Sequence, residues 1–168
     1  RMGLSYVDLF LIHWPHPSLP IEVQVRNFEV LVEAGIARYI GVSNFDEEEL
    51  EKALTATRKA EIVVDQVHYS VFNRSVEEKL LPYAVEKGVT IQAYTPLERG
   101  AVAKSKLLKA IGEKYGKTPV QVALNYLIAH KRVIAIPKTE RLEHLNEILG
   151  ALGWRLSVED IELIARKL

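Results

Sequence analysis

The chain has 168 residues, 48% of them apolar and 26% charged, which suits a single domain, expected here over residues 1–168. Its 22 basic and 22 acidic side chains balance, which disfavours nucleic acid or an anionic membrane surface as a partner, and the absence of cysteine excludes disulfide bonds and thiolate zinc sites. No apolar run approaches the roughly 20 residues of a membrane span, so a cytoplasmic location is the default prediction.

Short apolar runs alternate with amphipathic stretches along the whole chain. The runs predict β-strands over residues 7–12, 39–42, 62–67, 89–94 and 133–136. They are apolar on both faces, which is typical of strands buried in a parallel sheet. Apolar residues at helical spacing lie between them, so the chain contains five strand–helix units joined by right-handed crossovers.

Several polar residues mark helix boundaries. Capping signals occur at Asp46, Ser75, Thr118 and Ser157. The stretch after the fourth strand is longer than one unit needs, and it predicts a loop over residues 95–103 and an extra helix over 104–115. A further helix is predicted over Leu142–Leu149, close to the end of the sequence.

The alternation allows two parallel α/β architectures. A doubly wound sheet is disfavoured as a dinucleotide-binding fold, because neither its G-x-G-x-x-G signature nor a P-loop follows the first strand. A TIM barrel of the (α/β)8 type needs about 250 residues. Five units in 168 residues therefore predict an incomplete barrel of this type, with three units absent.

Each predicted strand ends in residues that can recognise a ligand. They are His13 and Trp14, Ser43 and Asn44, Gln66, Tyr94 and Thr95, and Lys138 and Thr139. In a parallel barrel the carboxyl ends of all strands open onto one face, which is the catalytic face. The convergence of these residues predicts a site there more strongly than any one of them does.

Plainer interpretations of the first two strand ends remain open. His13 could be a core histidine that holds a carbonyl group. His13 and His16 have the spacing of a metal pair, but Pro15 and Pro17 prevent a helix there, so no metal site is predicted. Ser43 and Asn44 could merely cap the following helix.

The remaining strand ends also have alternatives. Gln66 could bond a neighbouring backbone rather than a ligand, and Tyr94 could belong to the core. Lys138 is harder to dismiss, because a helix predicted to start at Thr139 would combine a positive charge with free N–H groups to bind an anion. His68 and His130 are predicted to be surface or packing positions.

These residues together resemble the aldo-keto reductases. The matching segments are 4–15 (LSYVDLFLIHWP), 41–45 (GVSNF), 65–69 (DQVHY), 93–97 (AYTPL) and 136–139 (IPKT). The resemblance covers the full chain but roughly the C-terminal three fifths of the family. It implies strands 4 to 8 of an (α/β)8 barrel that reduces aldehydes or ketones with NADPH, without metal or flavin.

The resemblance also assigns roles at the substrate and nicotinamide end. His13 corresponds to the catalytic histidine that orients the carbonyl oxygen, and Trp14 to a residue of the substrate pocket. The nicotinamide ring stacks on Tyr94, and its carboxamide is held by Ser43, Asn44 and Gln66.

At the phosphate end, the resemblance places Thr95, Leu97 and Arg99 over the pyrophosphate. Lys138 and Thr139 correspond to the pair that recognises the 2′-phosphate, which favours NADP over NAD. This chain departs from the family at His144, where many members have arginine, and at Ile148, beside Glu147, where asparagine is usual. Histidine loses its charge near neutral pH, and isoleucine cannot hydrogen-bond the adenine.

The family's tyrosine proton donor, with its supporting lysine and aspartate, has no counterpart in any matching motif here. Gly3 would end a helix to which Arg1 and Met2 belong, and the first residue is not methionine, so we expect the C-terminal portion of a working enzyme. We expect this portion to be inactive by itself, because the proton donor is absent. The alternatives are a natural half-barrel that binds nucleotide or a partner protein without catalysis, and an unrelated barrel enzyme such as an aldolase or isomerase. Open strand edges would allow self-association or binding of a partner.

Overall fold

A computed structural model describes residues 3–168, and the helix expected at Arg1 and Met2 lies outside this range. The elements are β1 (Val7–Ile12), α1 (Ile21–Glu33), β2 (Ala37–Ser43), α2 (Glu47–Ala56), β3 (Ile62–His68), α3 (Leu80–Lys87), β4 (Thr90–Tyr94), α4 (Lys106–Tyr115), α5 (Pro119–Ala129), β5 (Val133–Ala135), α6 (Leu142–Leu149) and α7 (Val158–Lys167). Short 3₁₀ segments cover Ser75–Glu77 and Glu98–Lys104. The predicted alternation of strands and helices is confirmed, and within residues 3–168 no helix is long and apolar enough to cross a bilayer.

The chain divides into two compact units. The first contains the residues up to Val67 together with Lys79–Ile91, and the second contains His68–Glu78 together with Gln92–Leu168. The division falls near the end of β3 and inside β4, so that the chain passes from one unit to the other within these strands. Each unit has its own buried core and its own set of predicted site residues.

The first unit is built on parallel pairing of β1, β2 and β3. Val7 pairs with Ala37 and Ile12 with Val42, and the second ladder brings Ser43 opposite Gln66. Gly41 lies in the middle of this sheet, where a Cβ atom would lie 2.5 Å from the Leu11 Cδ2 and 2.9 Å from the backbone oxygen of Val64. A side chain at position 41 would therefore push the strands apart, and glycine permits their close approach.

The strand β1 departs from the prediction that every strand is apolar and buried on both faces. Residues along it alternate between half-buried and exposed, and Phe10 remains 41% exposed although its ring lies 5.6 Å from that of Phe28. Asp8 is also exposed and pairs with Arg38 at 3.1 Å. The prediction was wrong here because β1 is the end strand of its sheet, with α1 packed against it.

A buried carboxylate anchors the connection between α2 and β3 in the first unit. Glu29, on α1, is 6% exposed, and its Oε1 accepts hydrogen bonds from the backbone N–H groups of Arg58, Lys59 and Ala60 at 2.7, 2.8 and 3.1 Å. Burial alone would raise the pKa of Glu29, but the three N–H donors outweigh it and hold the pKa below its ordinary value.

The second unit has a buried polar cluster under its core. Tyr69 and Tyr126 are fully buried, and both hydroxyl groups donate to Glu77 Oε1, at 2.7 and 2.8 Å. Arg74 bonds the other oxygen of Glu77 at 3.3 Å and donates to the backbone carbonyl of Ala165 in α7. Tyr69, Tyr126, Glu77 and Arg74 thus each have a hydrogen-bond partner, as buried polar groups require.

Most of the predicted helix starts are confirmed. Asp46, Thr118 and Ser157 each accept a hydrogen bond from the third residue of their helix. Ser75 does not cap a helix, because its hydroxyl donates to Asn73 Oδ1 within the short 3₁₀ segment. The predicted loop over residues 95–103 is partly 3₁₀ helix, and α4 begins at Lys106 rather than at residue 104.

The contacts of Glu29 allow a stability test. We expect Glu29→Gln to lower the free energy of unfolding by about 1–3 kcal/mol, because the amide replaces a charged acceptor shared by three backbone N–H donors. Urea denaturation of the full chain measures the change. Glu33→Gln is the matched control, since Glu33 pairs with Lys59 in solvent and should cost less than about 1 kcal/mol. Equal losses for the two variants would contradict the anchoring role of Glu29.

Candidate functional site

In the first unit, four predicted site residues meet at the carboxyl ends of three parallel strands. Ser43 is the last residue of β2, and its hydroxyl donates to the backbone oxygen of Gln66 at 2.7 Å. The Asn44 amide donates to the backbone oxygen of His13 at 3.1 Å and to Ser43 Oγ at 3.0 Å. These bonds tie the end of β2 to the ends of β1 and β3.

The interpretation of Ser43 and Asn44 as helix caps alone is wrong. The following helix α2 is capped by Asp46, which forms a reciprocal capping box with Glu49. Asn44 has a φ of 63°, in the left-handed region that asparagine tolerates better than most residues. The two side chains therefore belong to the strand ends and not to the helix start.

His13 and Trp14 lie at the mouth of this cluster. His13 is exposed, so the alternative of a buried core histidine is wrong, and Trp14 is 60% exposed. Their ring centroids are 6.5 Å apart. Across residues 3–168 there is no group of three histidine, aspartate or glutamate side chains that could hold a metal ion. An accessible imidazole beside an accessible indole is suited to contacting a small organic molecule.

Asp65 lies directly beneath these strand ends and is fully buried. No hydrogen bond of ordinary geometry reaches either of its carboxyl oxygens from a described residue, although the backbone N–H of Phe45 lies near enough to favour the charged form. Burial raises the pKa of Asp65 to about 8, helped by the negative charges of Glu49 and Asp46, while the Phe45 N–H acts in the opposite direction. The carboxyl group is therefore mostly protonated at neutral pH, and no charge is buried under the site.

In the second unit, the end of β4 carries a stacked pair of rings. The ring centroids of Tyr94 and His68 lie 5.5 Å apart with an angle of 12° between the ring planes. His68 also contacts Glu98 Oε1 through Nε2 at 2.7 Å and Asn73 Nδ2 through Nδ1 at 2.9 Å. The ring of Tyr94 is half-buried, so the alternative of a fully buried core residue does not hold.

The segment that follows Tyr94 has an unusual backbone. Thr95, Glu98 and Arg99 have φ values of 51°, 45° and 53°, and Gly100 follows with 92°. Each non-glycine residue in this region costs about 1–3 kcal/mol, and such residues cluster at binding sites. The pKa of Glu98 lies below its ordinary value, because hydrogen bonds from Ser70 and His68 outweigh the effect of burial.

A cleft of about 500 Å³ opens beside this segment, entirely within the second unit. Seven of the predicted cofactor residues line it, namely Thr95, Leu97, Arg99, Lys138, Thr139, His144 and Glu147. Val120, Ile136 and Ile148 form an apolar part of the lining. The cleft thus combines positive side chains with apolar surface, and its volume is that of a typical small-molecule site.

Lys138 and Thr139 lie before α6, which covers Leu142–Leu149 as predicted, whereas the helix start expected at Thr139 for an anion site is wrong. Thr139 Oγ1 accepts the N–H of Arg141 at 3.1 Å, and α6 begins at Leu142 rather than at Thr139. Lys138 is exposed and pairs with Glu140 at 2.6 Å. Because this pair is in solvent, it contributes little to stability, and Lys138 can exchange Glu140 for an anionic ligand.

Sequence reasoning missed Asp65, Ser70, Asn73 and Glu98 as parts of these clusters. A signal for one of them was present, since side chains two apart along a strand share a face and Gln66, His68 and Ser70 follow that period. Glu98 gave no such signal, because its partners lie 28 and 30 residues earlier in the chain.

Comparison with known proteins agrees with this fold. The model of the aldo/keto reductase family matches residues 1–168, and the chain belongs to this family. Methylglyoxal reductase DkgB of Escherichia coli O157:H7 is 34% identical over 169 residues, which cover 98% of this chain and 61% of the relative. Glyoxal reductase of Bacillus subtilis (strain 168) is 34% identical over 166 residues, which cover 98% and 58%.

Solved structures of the family superpose well on this chain. The thermostable aldo-keto reductase Tm1743, in complex with the inhibitor epalrestat, gives a TM-score of 0.90 at 41% identity and covers 96% of this chain and 60% of its own. An aldo-keto reductase from Klebsiella pneumoniae, in complex with NADP and acetate, gives 0.87 at 32% identity, with coverages of 96% and 59%. The TIM-barrel type of fold is thereby confirmed, and the chain spans about three fifths of the length of the relatives that it matches.

The buried carboxyl group predicts a pH-dependent stability. The unfolded chain ionises Asp65 near its ordinary pKa of 3.8, whereas the folded chain keeps the proton up to about pH 8. The stability that this proton provides is complete below about pH 4 and is lost as the pH rises to about 8. We expect Asp65→Asn to reduce the decline in unfolding free energy between pH 5 and pH 8.5 by at least about 1 kcal/mol.

Urea denaturation at the two pH values measures this difference. Asp8→Asn is the control, because Asp8 is exposed and pairs with Arg38 at the surface. If Asp65→Asn and the unchanged chain lose the same stability over this range, the buried carboxyl is not protonated.

Proposed function

We propose that this chain carries strands 4 to 8 of an NADPH-dependent aldo-keto reductase and forms the main part of its cofactor site. The cleft of the second unit supports this proposal most directly, because seven predicted cofactor residues that are spread from Thr95 to Glu147 line it together. These residues were assigned from sequence motifs alone. Their meeting in one cleft is expected for a nucleotide site and is not required for packing.

The lining of the cleft suits the phosphate end of NADPH. Lys138 and Thr139 would hold the 2′-phosphate, and Arg99 would face the pyrophosphate, since positive side chains and hydroxyl groups are the usual partners of phosphate oxygens. Ile148 offers the adenine an apolar contact in place of a hydrogen bond.

The first unit suits the reacting end of the molecule. Ser43, Asn44 and Gln66 would hold the nicotinamide carboxamide. In the second unit, Tyr94 would stack on the nicotinamide ring. NADPH supplies a hydride when it is bound. The exposed His13 would hold the carbonyl oxygen of an aldehyde or ketone beside Trp14, where a hydrogen-bond donor stabilises the negative charge that develops on that oxygen. Relatives named for methylglyoxal and glyoxal reduction support a small carbonyl substrate.

The chain by itself would bind nucleotide without catalysis. Proton transfer to the developing alkoxide needs a positioned acid, and no tyrosine or lysine of this sequence stands in the family's motif for that role. A natural half-barrel that binds nucleotide or a partner protein is the second candidate. The end position of β1 in its sheet and its exposed Phe10 favour association through that strand edge. A cytoplasmic location stays a prediction.

The 2′-phosphate assignment can be tested at Lys138. We expect Lys138→Met to weaken NADPH binding about tenfold and NADH binding less than about twofold, because only NADPH carries the phosphate that the ammonium group would contact. Fluorescence titration with each nucleotide measures both affinities. Lys109→Met, on the exposed face of α4, is the control and should change neither. An equal effect of Lys138→Met on the two nucleotides would remove the assignment.

The absence of a proton donor predicts a catalytic defect. With NADPH and a nitrobenzaldehyde, we expect this chain to turn over at least about 100-fold more slowly than the typical enzyme value of about 10 per second, because general acid catalysis is missing. The loss of NADPH absorbance measures the rate. His13→Ala should lower the residual rate further, because it removes the donor to the developing oxyanion, and Lys109→Met should leave the rate unchanged. Turnover at an ordinary enzyme rate would show that another residue supplies the proton.

A further inference from the structure

The segment from Thr95 to Gly100 needs contacts outside itself to keep its shape. Its non-glycine residues Thr95, Glu98 and Arg99 have left-handed φ values, which isolated peptides rarely adopt. Within the segment, two backbone hydrogen bonds join Glu98 N to the Thr95 oxygen at 3.1 Å and Gly100 N to the Leu97 oxygen at 2.8 Å. Two local bonds do not outweigh several unfavourable backbone angles, so side-chain contacts must contribute.

Glu98 supplies those contacts. Its Oε1 accepts the Ser70 hydroxyl at 2.6 Å and also contacts His68 Nε2 at 2.7 Å. Ser70 is fully buried, and its oxygen accepts the backbone N–H groups of Phe72 and Asn73 at 3.1 and 3.0 Å. Because both acceptor positions of this hydroxyl are used, its single proton must point to Glu98.

The surrounding bonds also fix the proton on His68. The hydroxyl of Ser75 donates to Asn73 Oδ1 at 3.1 Å, which turns the Asn73 amide nitrogen toward His68 Nδ1 at 2.9 Å. His68 Nδ1 is then an acceptor, and the ring proton lies on Nε2 and is donated to Glu98. In this orientation the His68 ring stacks on the ring of Tyr94.

We propose that Glu98, His68 and Ser70 form a latch that holds the Thr95–Gly100 segment in its cofactor-binding shape and joins it to the Tyr94 ring. The proposal rests on the proposed function, in which this segment covers the pyrophosphate and Tyr94 stacks on the nicotinamide. The three latch residues are positioning residues, because they act through the segment and the ring rather than on NADPH. The Glu98 carboxylate would thus position both the segment over the pyrophosphate and the Tyr94 ring on the nicotinamide.

The choice of residue at position 98 supports the latch. Glycine would adopt a φ of 45° without strain but could not reach Ser70 or His68. Glutamate at this position costs backbone strain, but its carboxylate accepts two charge-assisted hydrogen bonds. One of them comes from the buried Ser70 hydroxyl, whose proton has no other acceptor. The latch therefore accounts for a residue type that the backbone disfavours.

The first test needs no cofactor. Hydrogen–deuterium exchange is measured on the peptide that contains the Glu98 and Gly100 amides, in the full chain and in the variants Glu98→Ala and Glu98→Gln. We expect about tenfold faster exchange in Glu98→Ala and near-normal exchange in Glu98→Gln, whose amide oxygen still accepts both hydrogen bonds. Glu113→Ala, on the exposed face of α4, is the control. Unchanged exchange in Glu98→Ala would overturn the latch.

The second test measures NADPH affinity by fluorescence titration of the same four proteins. Glu98→Ala should bind about tenfold more weakly, and Glu98→Gln should return to within about threefold of the original affinity. Equal loss of NADPH affinity in Glu98→Ala and Glu98→Gln would mean that the charge acts on the cofactor directly. Faster exchange with unchanged affinity would mean that the segment does not position the cofactor. Either result overturns the proposal. If the unchanged chain fails to bind NADPH, the proposed function fails, and the positioning role of the latch fails with it. The hydrogen–deuterium exchange experiment still tests whether the latch holds the segment.

Discussion

The close parallel pairing of β2 with its neighbours is the constraint on which the first unit depends. At Gly41 the strands approach so closely that a single additional carbon would meet a side chain of β1 and the backbone of β3. This approach sets the register that brings Ser43 opposite Gln66 two residues later. The hydroxyl and amide groups at the strand ends then find backbone oxygens within hydrogen-bond distance, without any dedicated loop.

The two units hold their polar groups by different means. In the first unit, Ser43 and Asn44 bond mainly to backbone oxygens, so their positions follow from strand pairing. In the second unit, His68, Ser70 and Glu98 bond to one another through side chains, and a change of any one residue alters the others. Backbone anchoring favours a fixed geometry, whereas a side-chain network allows the geometry to be tuned during evolution.

Much of the fold could be predicted because its signals are local. The strand–helix alternation and the caps at Asp46 and Thr118 depend on residues only a few positions apart. The exposure of Phe10 could not be predicted, since it depends on the end position of β1 in its sheet. The bounds of α6 follow from apolar spacing, but the helix start expected at Thr139 was wrong because Thr139 turns the chain before the helix. The burial of Asp65 and the contacts of Glu98 depend on tertiary packing, while the assigned cofactor roles came from family motifs and stay predictions.

The bond between Arg74 and the Ala165 carbonyl has a consequence for how the protein is made. It joins residues 91 positions apart, and the second of them lies in the last helix of the chain. On the ribosome, the buried cluster of Glu77, Tyr69 and Tyr126 must wait for α7 before Arg74 finds all its partners. The second unit is therefore expected to close only after α7 has emerged from the ribosome, and until then its apolar residues would be available to chaperones.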